Sequence, residues 1–356
     1  MRGYEAIEKT SGVIDRSGEG RVRVTGADRV AWLQGLLTND IAAIAAIPPG
    51  AGCYAAYLTP QGRMISDVRV LNRGDHLLLD LPAGQKDAVL QRLDLFIITE
   101  DVALEDVTTS LARIGLHGRG LWQTLSACLE LPPDAPISHS SPLAEHASFA
   151  ATFRGADVIV AGSRDIGLPG VDLYIAAADV PNGAAALRDA LLAAGAELVD
   201  DEAWEARRVE AGRPRFGADM TGDTIPLEAG IEDRAVSFTK GCYVGQEIII
   251  RVMHRGGGRV ARKLVGLAPA GAVTSDGSTP PITPPPAGTP IFSGDRQIGQ
   301  LTSVAVSPAL GHWIALGYVH RDFVLPDTPV QIGPDGARVE ARVSELPFVA
   351  LSTASH

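Results

Sequence analysis

Arg21-Val22-Arg23-Val24-Thr25 alternates polar and apolar side chains, the period-two pattern of a half-buried strand. Gly26 interrupts it. Asp28 then stands as the candidate cap of a helix that carries Val30, Leu33 and Leu37 on one face, and Thr38-Asn39-Asp40 ends that helix. Two short strand-like runs between Tyr54 and Val70 flank Thr59-Pro60-Gln61-Gly62, which reads as a hairpin turn. His76 to Leu81 is a further strand candidate, and Ala83 to Leu95 reads as a helix.

ELPPDAPISHSSP, residues 130–142, is rich in proline and serine and reads as a surface connection. Strands resume at Asp157–Ala161 and Val171–Ile175. Two helices follow, Pro181 to Gly195 and Asp201 to Ala211, each closed by glycine. Strands and helices mix without a steady βαβ rhythm, so the pattern points to α+β rather than to a doubly wound sheet. From about Ala261 short β-like segments take over: Lys263–Leu267, Gln297–Val306, Ile314–Val319 and Val330–Ile332. They predict a small C-terminal β-barrel or sandwich. A Pro/Gly/Ser/Thr-rich insertion at 268–290 interrupts them and has polyproline character. The division this suggests is 1–260 and 261–356.

Composition narrows the function. The chain has 356 residues, which allows two or three domains. Lys plus Arg number 31 and Asp plus Glu 42, a net charge of −11 that argues against a general nucleic-acid binder. Three scattered cysteines, Cys53, Cys128 and Cys242, form no disulfide framework and no zinc spacing, which fits a reducing compartment. The N-terminus shows no apolar secretory core and no run approaches the length of a membrane span, so the expectation is a soluble cytoplasmic protein.

The chemistry concentrates in Lys240-Gly241-Cys242-Tyr243-Val244-Gly245-Gln246-Glu247, followed by a helix-like run from Gln246 to His254. Two readings of Cys242 stand side by side. A thiol at or just before a helix N-terminus, with Lys240 nearby, is favoured as thiolate. A free cysteine is also commonly a small buried apolar residue. Downstream, RVMHRGGGRVARK carries Arg251, Arg255, Arg259, Arg262 and Lys263 with no acid. It suits either a carboxylate or phosphate ligand or a solvated helix end.

KGCYVGQE resembles the signature of the YgfZ-type folate-binding proteins, relatives of the glycine-cleavage T protein (aminomethyltransferase). GADRVAWLQGLLTND at 26–40, AYLTPQGRMISDVRV at 56–70, RRVEAGRPRFGADMTGDTIPLEAG at 207–230 and GQLTSVAVSPALGHWIALGYV at 299–319 resemble further segments of that family. The resemblance implies a T-protein-like fold in which N-terminal and middle regions interleave and a C-terminal β-barrel follows. It implies tetrahydrofolate as the cofactor. YgfZ-type relatives support maturation or repair of iron–sulfur enzymes, including radical enzymes that modify tRNA, whereas T proteins move an aminomethyl carbon from a lipoyl arm to tetrahydrofolate.

The same resemblance distributes roles. T proteins carry two adjacent acids where this chain reads Ser66-Asp67, and a Gly-Glu-x-Gly core where it reads Gly167-Leu168-Pro169-Gly170, with Asp172 as a possible substitute acid. Both departures favour the maintenance factor over the aminomethyltransferase, and KGC, absent from T proteins here, points the same way. Cys242, Lys240 and Asp67 become the candidate reactive group, with Lys240 lowering the proton affinity of the thiol. Asp67 alternatively serves only a turn. Arg208 is the candidate clamp for the folate carboxylates or else an exposed helix arginine. Asn39, Glu228, Arg251 and Arg255 complete the folate candidates, with no metal ligand among them. Partners would be folate and client iron–sulfur enzymes, with no membrane and no direct nucleic acid. A third reading is a non-catalytic folate-binding scaffold. Cys53 and Cys128 read as structural.

Overall fold

The computed structural model describes residues 1–176, 182–255, 259–271 and 283–350. The chain divides into two compact units. One comprises Met1–Arg164, Leu168–Asp200 and Asp233–Gln246; the other comprises Asp165–Gly167, Asp201–Glu232 and Glu247–His356.

Among the described residues the first unit holds eleven strands: β1 (Gly12–Asp15), β2 (Gly20–Thr25), β3 (Gly52–Leu58), β4 (Met64–Asn72), β5 (Leu77–Leu81), β6 (Ala103–Asp106), β7 (Leu111–His117), β8 (Ser148–Phe153), β9 (Ala156–Ser163), β10 (Gly170–Ala176) and β11 (Glu197–Leu198). They form a six-stranded sheet in the order β11-β1-β7-β10-β9-β8 and a five-stranded sheet in the order β3-β4-β5-β2-β6. The first strand of the chain thus joins the later sheet, between β11 and β7, by pairing Gly12 with both Glu197 and His117. The helices Leu121–Cys128 and Gly183–Ala193 cover the six-stranded sheet through Leu125, Leu187 and Leu191. The helices Arg29–Gln34 and Lys86–Asp94 cover the five-stranded one through Leu33, Val89 and Leu93.

The opposite faces of the two sheets meet through Leu71, Leu78, Ala161 and Tyr174. With both faces covered, β4 and β5 are almost wholly buried; β5 reads as an apolar run broken only by Asp80, while β4 buries Ser66, Asp67, Arg69 and Asn72 among its apolar residues. A buried ionic network lies in this layer. Arg113 meets Asp80 at 2.9 Å and Asp172 at 2.8 Å, Arg69 also binds Asp172, and the Tyr174 hydroxyl donates to Asp80 at 2.6 Å. Asp172 is therefore held by two arginines inside the sheet layer, not offered as the substitute acid.

The second unit contains a closed barrel built from β12 (Arg262–Pro269), β13 (Pro290–Ser293), β14 (Arg296–Ser307), β15 (His312–His320), β16 (Pro329–Ile332) and β17 (Val339–Ser344), in the order β12-β15-β14-β13-β16-β17. Closure leaves no free edge, and Leu267, Ile291, Trp313, Val319 and Ile332 fill the interior. The barrel expectation holds, as does α+β. Part of the insertion, 272–282, lies outside the described residues.

Where local expectations differ, long-range contacts explain it. The first predicted helix ends at Gln34, short of Leu37, which instead bridges to Tyr57. Asp28 takes the capping position, but its carboxylate accepts from the Asp101 amide rather than from its own helix. Asp40 caps the next helix, Ile41–Ala45, by accepting from Ala43 N at 3.0 Å. β1, β6, β7, β8 and β11 escape the sequence reading because they are short or irregular in pattern and are completed by partners far along the chain.

Candidate functional site

The hairpin β3–β4 sets the first half of the site. Its turn closes with Thr59 N donating to Arg63 O and Gly62 N donating to Thr59 O, each at 2.8 Å. Gly62 sits at φ +73, a conformation that side chains resist. The register pairs Ala56 with Asp67 and Tyr54 with Arg69. Tyr54 and Asp67 are therefore diagonal neighbours on one face, within reach of an aromatic side chain. The Tyr54 hydroxyl donates to Asp67 Oδ2 at 2.6 Å.

Three residues that the sequence reading did not single out gather here. Arg234 lies over the Tyr54 ring at 5.0 Å and donates to Glu145 Oε1 at 2.9 Å. His146 stacks beside Tyr54, with ring centroids 6.2 Å apart. His146 also takes φ +66, which few residues with a side chain adopt. Neither His146 nor Arg234 has a sequence signal, because each partner lies some ninety residues or more away. Ser66, where T proteins have an acid, is fully buried and donates to the Asp67 carbonyl at 2.7 Å. Leu168 is buried as well, so no acid stands at that place.

The second half is the segment from Ala235 to Gly245, stitched to the turn that follows the helix Arg29–Gln34. Thr38 Oγ1 donates to Ala235 O at 2.5 Å, and Ser237 N donates to Thr38 O at 3.0 Å. Asn39 Nδ2 donates to Tyr54 O and to Arg234 O at 2.8 and 2.9 Å, which joins this segment to the hairpin. Lys240 Nζ donates to Gln34 O, Leu37 O and Asn39 O at 2.6, 2.7 and 2.8 Å. Burial pulls the Lys240 pKa down to about 8, partly opposed by Asp40 and Cys53.

Cys242 is exposed, which removes the reading of a buried apolar cysteine. It also lies four residues before the helix Gln246–Arg255 begins, so it does not occupy that helix's N-terminus. Cys53 is buried, and burial pushes its thiol up to about 12. Cys128 is half-buried, with Sγ donating to Ala190 O at 3.3 Å, and burial raises its pKa too.

The remaining candidates belong to the second unit. Arg208 is buried on the helix Asp201–Glu210 and spends its guanidinium on Asp219 and Glu205, both at 2.7 Å, on Arg213 O at 2.6 Å and on Ser303 Oγ at 2.7 Å. Burial alone would lower its pKa, but Asp219 and Glu205 raise it. Glu228 accepts from its own helix start at Ile225 N (3.3 Å) and from Arg262 (3.2 Å). Arg251 is exposed on the helix Gln246–Arg255, and the side chain of Arg255 falls outside the described residues. Asn39, Lys240 and Asp67 are thus linked through Tyr54, whereas Arg208 and Glu228 sit in separate ion clusters.

Comparison with known proteins bears on this geometry. Residues 2–240 match the GCVT N-terminal domain, and residues 262–350 match the glycine cleavage T-protein C-terminal barrel domain. An aminomethyltransferase of Corynebacterium jeikeium is 28% identical over 97% of this chain and 89% of its own. An Arabidopsis thaliana protein described as a putative chloroplastic transferase is 27% identical over 97% of this chain and 73% of its own. The crystal structure of glycine cleavage system aminomethyltransferase T from Bartonella henselae superimposes with a TM-score of 0.80 at 22% identity, covering 98% of this chain and 88% of that one. Among the described residues no helix is long and apolar enough to cross a membrane.

Proposed function

This chain belongs to the glycine-cleavage T-protein family, and from that premise we propose that it is a tetrahydrofolate-dependent one-carbon transferase centred on Asp67. Proteins of this family bind tetrahydrofolate. The donor set of the hairpin fits such a ligand. A carboxylate accepts hydrogen bonds from the N–H groups of a flat heterocycle, and Tyr54 and His146 place aromatic rings beside that carboxylate. When bound, tetrahydrofolate supplies the nitrogens that carry a one-carbon unit. Asp67 orients an amine and accepts or returns a proton, as a positioned carboxylate does. Tyr54 fixes the carboxylate through its hydroxyl, and Arg234 over the Tyr54 ring fixes the phenol. The 2.6 Å Tyr54–Asp67 contact carries this reading, and the aminomethyltransferase relatives at 27–29% identity support the reaction class. The test is calorimetric titration with tetrahydrofolate, followed by an assay of aminomethyl transfer from a lipoyl-borne donor. Absence of tetrahydrofolate binding overturns the proposal.

A second reading rests on Cys242. It is the exposed one of the three cysteines, in the KGCYVGQE segment that resembles YgfZ-type proteins. On this reading the protein binds folate and supports maturation or repair of client iron–sulfur enzymes through that thiol. Ser66 and Leu168, which replace the acids of the T proteins, favour it. Complementation by Cys242→Ala separates the two: loss of client support with folate binding intact selects the thiol, and full complementation excludes it.

A further inference from the structure

Lys240 is the charged end of a set of pins. Its ammonium lies where the helix Arg29–Gln34 ends, a place where backbone carbonyls lack intrahelical partners and the helix dipole is negative. A lysine ammonium carries three N–H groups on one nitrogen, and here each has a carbonyl within 2.8 Å, from Gln34, Leu37 and Asn39. Beyond Cys242, Val244 N donates to Gly35 O at 3.1 Å. Gly245, at φ +84, lies so close to the hairpin turn that a Cβ there would come within 2.5 Å of Thr59 O. Between these anchors, Gly241 faces open space and Cys242 is exposed. The segment is an arch fastened at both feet, with the thiol at its crown.

We propose that Lys240 is a positioning residue for Cys242, acting by fastening one foot of this arch through three carbonyls rather than by lending its charge to the thiol. This replaces the expectation that Lys240 lowers the proton affinity of Cys242. It rests on the reading of Cys242 as the working thiol. Arginine makes the distinction testable. It keeps the positive charge, but its planar fork does not direct three N–H groups from one nitrogen at three converging carbonyls.

The experiment uses the full chain as wild type, Lys240→Met, Lys240→Arg and Cys242→Ala. Hydrogen exchange is read over 237–245 and over β4 and β5. The pH profile of Cys242 alkylation by iodoacetamide is read by peptide mass spectrometry, and client support by complementation. In both Lys240 variants, exchange over the arch rises about tenfold or more while β4 and β5 keep their protection. The alkylation midpoint stays at its wild-type value, and complementation falls toward that of Cys242→Ala. A midpoint that rises in Lys240→Met but not in Lys240→Arg overturns the proposal in favour of charge activation. Unchanged arch exchange in both variants also overturns it. If Lys240→Met does not fold, Lys240→Arg decides alone, since positioning predicts loss and charge predicts wild-type behaviour. Full complementation by Cys242→Ala instead sinks the underlying reading of the thiol, and is distinguishable because the arch exchange is measured independently.

Discussion

Tyr54 and Asp67 face each other diagonally across one hairpin, with the phenol donating to the carboxylate at 2.6 Å. The pairing follows from register alone. Ala56 opposes Asp67, and Tyr54 is two residues back on the same face. A one-residue slip would send Asp67 to the other face, so the turn at Thr59–Gly62 is as much part of the site as the acid.

The first prediction concerns that acid. Asp67→Asn preserves shape and can still accept from Tyr54, but it cannot take a proton. One-carbon transfer should fall by about 10²- to 10⁴-fold, with little change in thermal stability. Single-turnover transfer and a melting curve read both quantities. Wild-type turnover by the variant would remove Asp67 from the chemistry.

Arg208 leads to a stability prediction. Its partner Asp219 is almost wholly buried, and Thr302 Oγ1 and Arg215 N also donate to that carboxylate. Arg208→Ala leaves a buried anion without its charge partner, a change worth about 3–5 kcal/mol. Urea unfolding checks it. Unchanged stability combined with lost tetrahydrofolate affinity would instead make Arg208 the folate clamp.

The cysteines should separate by reactivity. At pH 8 a thiol pushed to about 12 is ionised only to about one part in 10⁴. Native protein should therefore label at Cys242 first, at Cys128 slowly, and at Cys53 only on unfolding. Peptide mapping after timed alkylation gives the order, and early labelling of Cys53 would contradict its burial.

Lys240 gives a pH dependence with a definite sign. Its pKa is about 8 in the fold against an ordinary 10.5. Between these values the unfolded chain binds the extra proton, so this group's contribution to stability rises with pH across that window. The stability of wild type minus that of Lys240→Met should grow from pH 8 to pH 10.5. A flat or falling difference would mean that the three carbonyls outweigh the cost of burial.

Much of the fold was legible along the chain. The β3–β4 hairpin, the alanine-rich helix Gly183–Ala193 and four of the barrel strands, β12, β14, β15 and β16, carry their own period and punctuation, whereas β13 and β17 do not. So does the KGCYVGQE segment, whose residue types mark it without any structure. What stayed hidden depends on partners remote in sequence. Nothing near Arg113 announces that it will be buried between Asp80 and Asp172. Nothing near His146 places it beside Tyr54.

The sequence by itself determined the class of fold, the family resemblance and, through the KGCYVGQE segment, which of three cysteines to single out. Only the tertiary structure decided that this thiol is reachable, because exposure is a property of packing: Cys53 is buried and Cys242 is exposed. It also set the surroundings of Lys240. An ammonium takes its role from the acceptors around it, and those acceptors, Gln34 O, Leu37 O and Asn39 O, lie some two hundred residues earlier in the chain.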